Sequence, residues 1–328
     1  MWDFLFKEGV KMRKKLELKR QSTSKRFDEG YDEFILNCKV RNLRPTTIKY
    51  YDDMVNIWYK FLPDYKIQIS EITKETIDSF IIFLETNMNM NDVTINTVVR
   101  GMKSILNYFM KLEYMERFVI PKLKEDRKII ETYSAAELKI LLEKPNLDEC
   151  NFLEYRNYVI INFLISTGAR ARTVVNIKIQ DLDFDNNLLN YGYTKNRKQQ
   201  IVPMGKSLKV ILMEYLVYRK GMLEDYLFVN AYGDVLTVSQ LGHNLNDYNR
   251  RRGIMKTGLH RFRHSFAKLW IQNGGDIFKL QKILSHSTLD MVKNYVNMFA
   301  DDLQKDFNTF NPLEQFSVQK KHIKLTRK

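Results

Sequence analysis

From Phe27 onward, apolar positions recur at helical spacing. Phe27, Tyr31, Phe34 and Ile35 share one face, the recurrence expected of an amphipathic helix. Arg44-Pro45-Thr46-Thr47 marks the start of a second helix, because proline is tolerated in a first turn where its missing N–H has no partner to lose. Ile48, Tyr51, Val55, Trp58 and Phe61–Leu62 line its inner face. A third helix is predicted from Thr73 to about Glu85 and a fourth from Val93 to about Leu112. These four make an all-helical unit over residues 27–116. Mixed charge around Pro121 breaks the pattern over 117–133, which reads as an interdomain linker. Ser134-Ala-Ala-Glu137 then forms a capping box that opens a second unit. After a helix running through Ile160–Ser166 the period shortens. Ile177–Phe184, Leu188–Tyr193 and Gln200–Met204 alternate as short strands, with Asp185-Asn186-Asn187 and Thr194–Lys198 as turns. Helical spacing then resumes. The expected fold is mainly α, with a small antiparallel β-sheet in an α+β second domain and a separate all-helical N-terminal domain.

At 328 residues the chain is long enough for two domains. The longest apolar runs, Ile81–Leu84 and Tyr158–Ile165, fall well short of the roughly 20 residues of a membrane span. Met1-Trp2-Asp3-Phe4-Leu5-Phe6 lacks the basic stretch that opens a secretory signal. Cys38 and Cys150 are too few for a disulfide framework or a cysteine zinc site. A cytoplasmic protein with no membrane association is expected.

The formal net charge of +14 points to an anionic partner, but most of it sits at the ends. Residues 1–26 carry nine basic and three acidic side chains, and 319–328 carry five basic and none acidic, so only +3 remains between them. The first 26 residues read as a basic arm. Within the body, Arg250 to Lys268 holds seven basic residues and no acidic one, which brings nucleic acid forward as partner.

Four stretches hold candidate chemistry. In Ser166-Thr167-Gly168-Ala169-Arg170 a helix ends in a glycine turn that presents an arginine. Lys195 falls at the tip of the predicted hairpin, eight residues before Pro203. In His260-Arg261-Phe262-Arg263-His264-Ser265-Phe266-Ala267, spacing of three puts His260 and Arg263 on one helical face. His260 and His264 also have zinc-helix spacing, yet Arg261 stands where that motif needs a glutamate and its cation opposes a metal. The fourth is Leu284-Ser285-His286-Ser287, with Tyr295 nine residues beyond His286. Singly, each has an ordinary reading: a surface arginine, a solvated turn lysine, a tyrosine at a core edge. Together, Arg170, Lys195, His260, Arg263, His286 and Tyr295 make a set without a carboxylate, suited to a phosphodiester with neither metal nor cofactor. Two guanidiniums can fork onto phosphate oxygens and hold a pentacoordinate phosphorane. A tyrosine can attack phosphorus, and a lysine can protonate the leaving alkoxide.

In order and spacing these stretches resemble the tyrosine recombinase (phage integrase) family over residues 27 to about 300. The family's Thr-Gly-x-Arg is Thr167 to Arg170, its hairpin lysine is Lys195 ahead of Ile201-Val202-Pro203, its His-x-x-Arg-His-x-Phe-Ala box is His260 to Ala267, and its Leu-Gly-His-Ser and tyrosine are Leu284 to Ser287 and Tyr295. The resemblance implies a site-specific recombinase whose core-binding domain (27–116) and catalytic domain (134–300) clamp double-stranded DNA. Tyr295 is then the nucleophile that leaves a 3′-phosphotyrosine, and Lys195 the general acid. His260 moves the tyrosine proton, while Arg170, Arg263 and His286 hold the phosphorane. It also implies a homotetramer on paired sites. In 301–328 the apolar positions Leu303, Phe307 and Phe310 lie on one face of a short predicted helix before Pro312, which either packs on its own domain or is exchanged between protomers. Integration, excision, transposition and dimer resolution all fit. The alternatives are a type IB topoisomerase and an inactive DNA-binding protein on the same scaffold. Three departures stand out: Thr173 replaces the usual acidic residue, Arg261-Phe262 replaces an acidic–leucine pair, and Ser285 replaces glycine.

Overall fold

The computed structural model describes residues 25–62, 64, 66–124, 131–192 and 199–285. The chain forms two compact units that divide between residues 128 and 129. Among the described residues no helix is long and apolar enough to cross a membrane.

The first unit is built from α1 (Phe27–Val40), α2 (Pro45–Phe61), α3 (Lys74–Thr86) and α4 (Asp92–Lys111), close to the bounds that periodicity predicts. Thr73 and Asn91 cap α3 and α4 by accepting from Thr76 N–H and Thr94 N–H, which satisfies donors that a helix start leaves open. α4 is the hub. It packs against α1, α2 and α3 and buries Ile95, Val98, Val99, Met102, Ile105, Leu106 and Phe109. Trp58, fully buried, meets Phe80 at 4.9 Å between ring centroids, and Phe27 meets Phe109 edge-on at 5.7 Å. The linker expected from residue 117 lies on α4 as far as Leu123. Asn96, buried on α4, donates to the Leu123 carbonyl at 3.1 Å and accepts from its N–H at 3.0 Å. Lys103 donates to the Ile120 carbonyl at 2.9 Å, and the Ile120 side chain is buried.

The second unit contains α5 (Ala135–Leu141), α6 (Phe152–Thr167), α7 (Ala171–Asn176), β1 (Leu182–Asp183), β2 (Leu188–Tyr191), β3 (Gln200–Pro203), α8 (Lys206–Arg219), α9 (Val238–Arg251), α10 (Leu259–Gln272) and α11 (Ile277–Leu284). Ser134 accepts from Glu137 N–H and the Glu137 carboxylate accepts from Ser134 N–H, so the capping box forms as predicted. α6 is buried on nearly every side, from Tyr155 through Leu164, as a helix apolar all round should be. It packs against α8, α9 and α10. The sheet is antiparallel in the order β1-β2-β3, and Leu182, Leu189 and Val202 stand in register on its buried face.

One strand expectation needs correction. Of Ile177–Phe184 only Leu182–Asp183 is strand, and Ile179–Asp181 is a 3₁₀ turn. Backbone donors decide this. Lys178 N–H goes to the Asp181 carboxylate at 2.8 Å, while Ile179 N–H and Gln180 N–H go to the Asp225 and Leu223 carbonyls beyond α8. The apolar alternation is real, since Ile177, Ile179 and Leu182 are all buried, but it serves a turn. The predicted Thr194–Lys198 turn lies outside the described residues.

Candidate active site

Three of the six candidate residues, Arg170, His260 and Arg263, fall among the described residues, and the fold gathers them. Lys195, His286 and Tyr295 lie outside those residues. α6 ends at Gly168, whose φ of +61° is the left-handed conformation of a helix C-cap. A Cβ there would stand 2.5 Å from Phe266 Cδ1 on α10 and 2.7 Å from Leu284 Cδ2 on α11. The ends of α6 and α11 and the middle of α10 therefore converge where only glycine fits. Arg170 follows as the N-cap of α7, half-buried. Arg263 sits in the second turn of α10 at 6% exposure and donates to the Gly168 carbonyl at 2.7 Å and the Leu284 carbonyl at 2.5 Å. Arg170 donates to the Ser285 carbonyl at 3.3 Å.

His260 lies in the first turn of α10, with its ring open to solvent on one side. Protein mass behind the ring, followed by the charges of Arg263 and Arg170, lowers its pKa below the ordinary 6.5. His260 is therefore a neutral imidazole at pH 7 and can accept a proton. The gathered group is thus two guanidiniums and one neutral imidazole. Among the described residues, no group of three or more His, Cys, Asp or Glu side chains is placed to hold a metal ion. A separate cavity of about 290 Å³ lies at the opposite end of α6, lined by residues including Arg156, Asn157 and Arg251, and takes no part in this group.

A model of the phage integrase family matches residues 132–301, more than half of the chain, and a phage integrase SAM-like domain model matches 26–126. The chain belongs to the phage integrase family. It is accordingly a tyrosine recombinase, an enzyme of DNA strand cleavage and rejoining. The tyrosine recombinase XerC of Staphylococcus aureus strain bovine RF122 / ET3-1 is 26% identical over 292 residues, covering 86% of this chain and 96% of that protein. In fold the chain is similar to the Tn1549 transposon integrase solved with circular intermediate DNA, at a TM-score of 0.68 and 18% identity, covering 83% of this chain and 95% of that one. It is also similar to XerH recombinase bound to a palindromic difH substrate, at a TM-score of 0.67 and 21% identity over 84% and 82% of the two chains.

The departures from the family pattern have physical readings. Phe262 is buried and packs on Tyr133 at 4.7 Å between ring centroids, the rings tilted by 41°. Arg261, partly buried, donates to the Glu131 carbonyl and, at 3.1 Å, to the Thr257 carbonyl. This pair holds the entry of the second unit onto α10. Ser265, invisible to sequence reasoning, does the same by accepting from Tyr133 N–H at 2.9 Å. Ser285 is left-handed, with φ and ψ both 48°, so the glycine usual in the family suits this backbone better. Thr173 brings no carboxylate, and the bonds of the two arginines include those to the backbone carbonyls of Gly168, Leu284 and Ser285.

Two outcomes are expected. Arg170→Gln should raise the His260 pKa toward 6.5, read by NMR titration of its ring carbons; an unchanged titration would remove Arg170 as a cause. Because the unfolded chain takes the proton at higher pH than the folded one, His260 also makes folding stability fall as pH drops through 6.5. Ser285→Gly should raise stability by up to about 1 kcal/mol in urea denaturation, by relieving the left-handed backbone.

Proposed function

We propose that this enzyme cuts and rejoins duplex DNA at specific sites through a 3′-phosphotyrosine intermediate, with Arg170, Lys195, His260, Arg263, His286 and Tyr295 as its reacting set. The observation that carries this reading is the carboxylate-free group of Arg170, Arg263 and neutral His260. Such a group favours a phosphorane, whose negative charge exceeds that of the ground-state phosphodiester, so cations placed beforehand gain most in the transition state. In the step itself the Tyr295 oxygen bonds to phosphorus and its proton passes to His260. The bond from phosphorus to the 5′-oxygen breaks, and Lys195 supplies the proton that makes the 5′-hydroxyl. His286 joins the arginines on the phosphate oxygens. The 5′-hydroxyl of a partner strand then reverses these events, so the ester conserves the bond and neither metal nor nucleotide cofactor is needed.

The working parts follow the chain. Residues 1–26 are a basic arm, 27–116 a core-binding domain, 117–133 a connection, 134–300 the catalytic domain, and 301–328 a C-terminal segment. The partner is double-stranded DNA in the cytoplasm, bound as a homotetramer on paired sites, with the segment around Leu303, Phe307 and Phe310 passed between protomers. The basic arm and tail add phosphate contacts that hold DNA without reading its sequence.

Sequencing DNA captured covalently on the protein identifies the site it cuts. On a nicked duplex of that site, Tyr295→Phe should abolish the covalent adduct and leave binding within about twofold, since it removes one oxygen. An adduct persisting in this variant would assign the nucleophile elsewhere. The double variant Phe307→Ala, Phe310→Ala should keep the monomer folded and single-site binding intact but impair synapsis and strand exchange, because each buried Phe contributes about 1.5–3 kcal/mol. A variant that unfolds as a monomer would instead mean that this face packs on its own domain.

A further inference from the structure

The C-terminus of α11 is bound by side chains from three other elements. A helix leaves its last four carbonyls without helical partners. Here the Leu284 carbonyl accepts from Arg263 and the Ser285 carbonyl from Arg170. The two carbonyls before them, of Lys282 and Ile283, accept from one side chain, the Gln200 amide at the start of β3, and the Lys282 carbonyl also accepts from Ser285 N–H at 3.0 Å. The bond from Gln200 to Lys282 is 3.3 Å. Two carbonyl acceptors also fix which end of the amide faces α11, since only its NH₂ donates. Gln200 is thus a bond between the sheet and the helix end that orients both arginines.

The mechanical reason for this tie lies in how α11 is held. α11 has eight residues and buries only Leu280 and Leu284, which form a small apolar cluster with Phe266 and Ala267 of α10. With so short a buried stripe, any rock of its C-terminus would move the carbonyls that aim Arg263 and Arg170. β3, in contrast, is paired with β2 along its whole length, with Gln200 opposite Tyr191 and Val202 opposite Leu189 in the core. A side chain on β3 that grips two consecutive carbonyls transfers the rigidity of the sheet to α11. This matters more in a chain with Thr173 where relatives carry a carboxylate, because the arginine bonds described above all end on carbonyls of α11 or Gly168.

We infer that Gln200 is a positioning residue for DNA cleavage, acting through the α11 carbonyls on Arg263 and Arg170. This rests on the reading that those two arginines hold the scissile phosphate. It assigns no contact between Gln200 and DNA. The donor is what counts, so residues that keep an N–H of sufficient reach should substitute, and isosteres without one should not.

The test uses the full chain and the nicked duplex recovered by covalent capture, prepared with a phosphodiester or a methylphosphonate at the scissile position. A methylphosphonate carries no anionic oxygen and therefore does not need the guanidiniums for charge neutralisation. Gln200→Met matches the side chain in length but donates nothing. It should bind DNA within about twofold of wild type and slow phosphodiester cleavage by about 10- to 100-fold, the scale of a small misplacement at a reacting centre. Its defect should shrink to within about threefold on the methylphosphonate, the substrate that bypasses the groups through which Gln200 acts. Gln200→Arg, which restores donors, should cleave the phosphodiester near the wild-type rate. Gln200→Glu, which sets a carboxylate against two carbonyls, should be at least as slow as Gln200→Met. Arg263→Ala and Arg170→Ala run beside them. If the methylphosphonate does not relieve the arginine variants, the assumed role of the arginines fails. If it relieves them but leaves Gln200→Met slow, or if Gln200→Met cleaves the phosphodiester at the wild-type rate, the positioning role of Gln200 is overturned. Should Gln200→Met lower the melting temperature, Gln200→Glu against Gln200→Arg still decides, because both keep a long polar side chain and differ in the donor.

Discussion

The catalytic unit depends on a position where no side chain fits. Gly168 ends α6 in the left-handed region, and the space that a Cβ would take is filled by Phe266 of α10 and Leu284 of α11. A substitution there meets two penalties at once, a backbone that L-residues rarely adopt and ring and methyl carbons that cannot withdraw from a packed core. The close approach brings the N-terminal turns of α10 and the C-terminus of α11 up to the turn that presents Arg170. Its carbonyl, left without a helical partner, accepts from Arg263. A helix stop, an interhelical contact and an acceptor for the buried Arg263 thus share one residue.

That arrangement also puts backbone carbonyls among the partners of both guanidiniums. A buried guanidinium is costly to desolvate, and an ion pair with a carboxylate is the usual remedy. A paired carboxylate, however, would cancel charge that the phosphorane needs. Backbone carbonyls at a helix C-terminus offer dipoles in place of a full negative charge, enough to orient a guanidinium while leaving its charge for the phosphate. Burial first, and then the charges of Arg263 and Arg170, hold the His260 pKa below its ordinary value. The arginine charges therefore also act on the neighbouring imidazole, adding to the effect of burial.

Much of the fold was legible in the sequence, because the signals were of the kind that burial alone enforces. The four N-terminal helices follow from apolar spacing, and Ser134–Glu137 from the geometry of a helix start. That Arg170, His260 and Arg263 come together was legible, since each sits inside a motif with fixed spacing. What escaped was set by long-range hydrogen bonds. Ile177–Phe184 alternates like a strand, but carbonyls some 45 residues further on take its donors and bend it into a turn. Residues 117–123 are polar enough to read as a connection, yet one buried asparagine holds them to α4. Gln200 carries no sequence signal at all, because its partners lie 82 and 83 residues away.

Ser285 shows what this economy costs. Its left-handed backbone turns the chain out of α11 at the point where its own carbonyl must face Arg170. Glycine would adopt this conformation without strain, and serine does so against a penalty of roughly 1–2 kcal/mol. The strain persists because the residues on its helical side are fixed from outside: Arg263 holds Leu284, and Gln200 holds Ile283 and Lys282. Lys220 ends α8 in the same left-handed region, so the conformation itself is within reach of an L-residue. Loosening the bonds to Leu284, Ile283 and Lys282 would let the backbone relax, and the relaxation would carry the Ser285 carbonyl away from Arg170. Strain at Ser285 and the tie at Gln200 are for this reason parts of one device, and the weaker the tie, the more the strained turn acts against the geometry of the site.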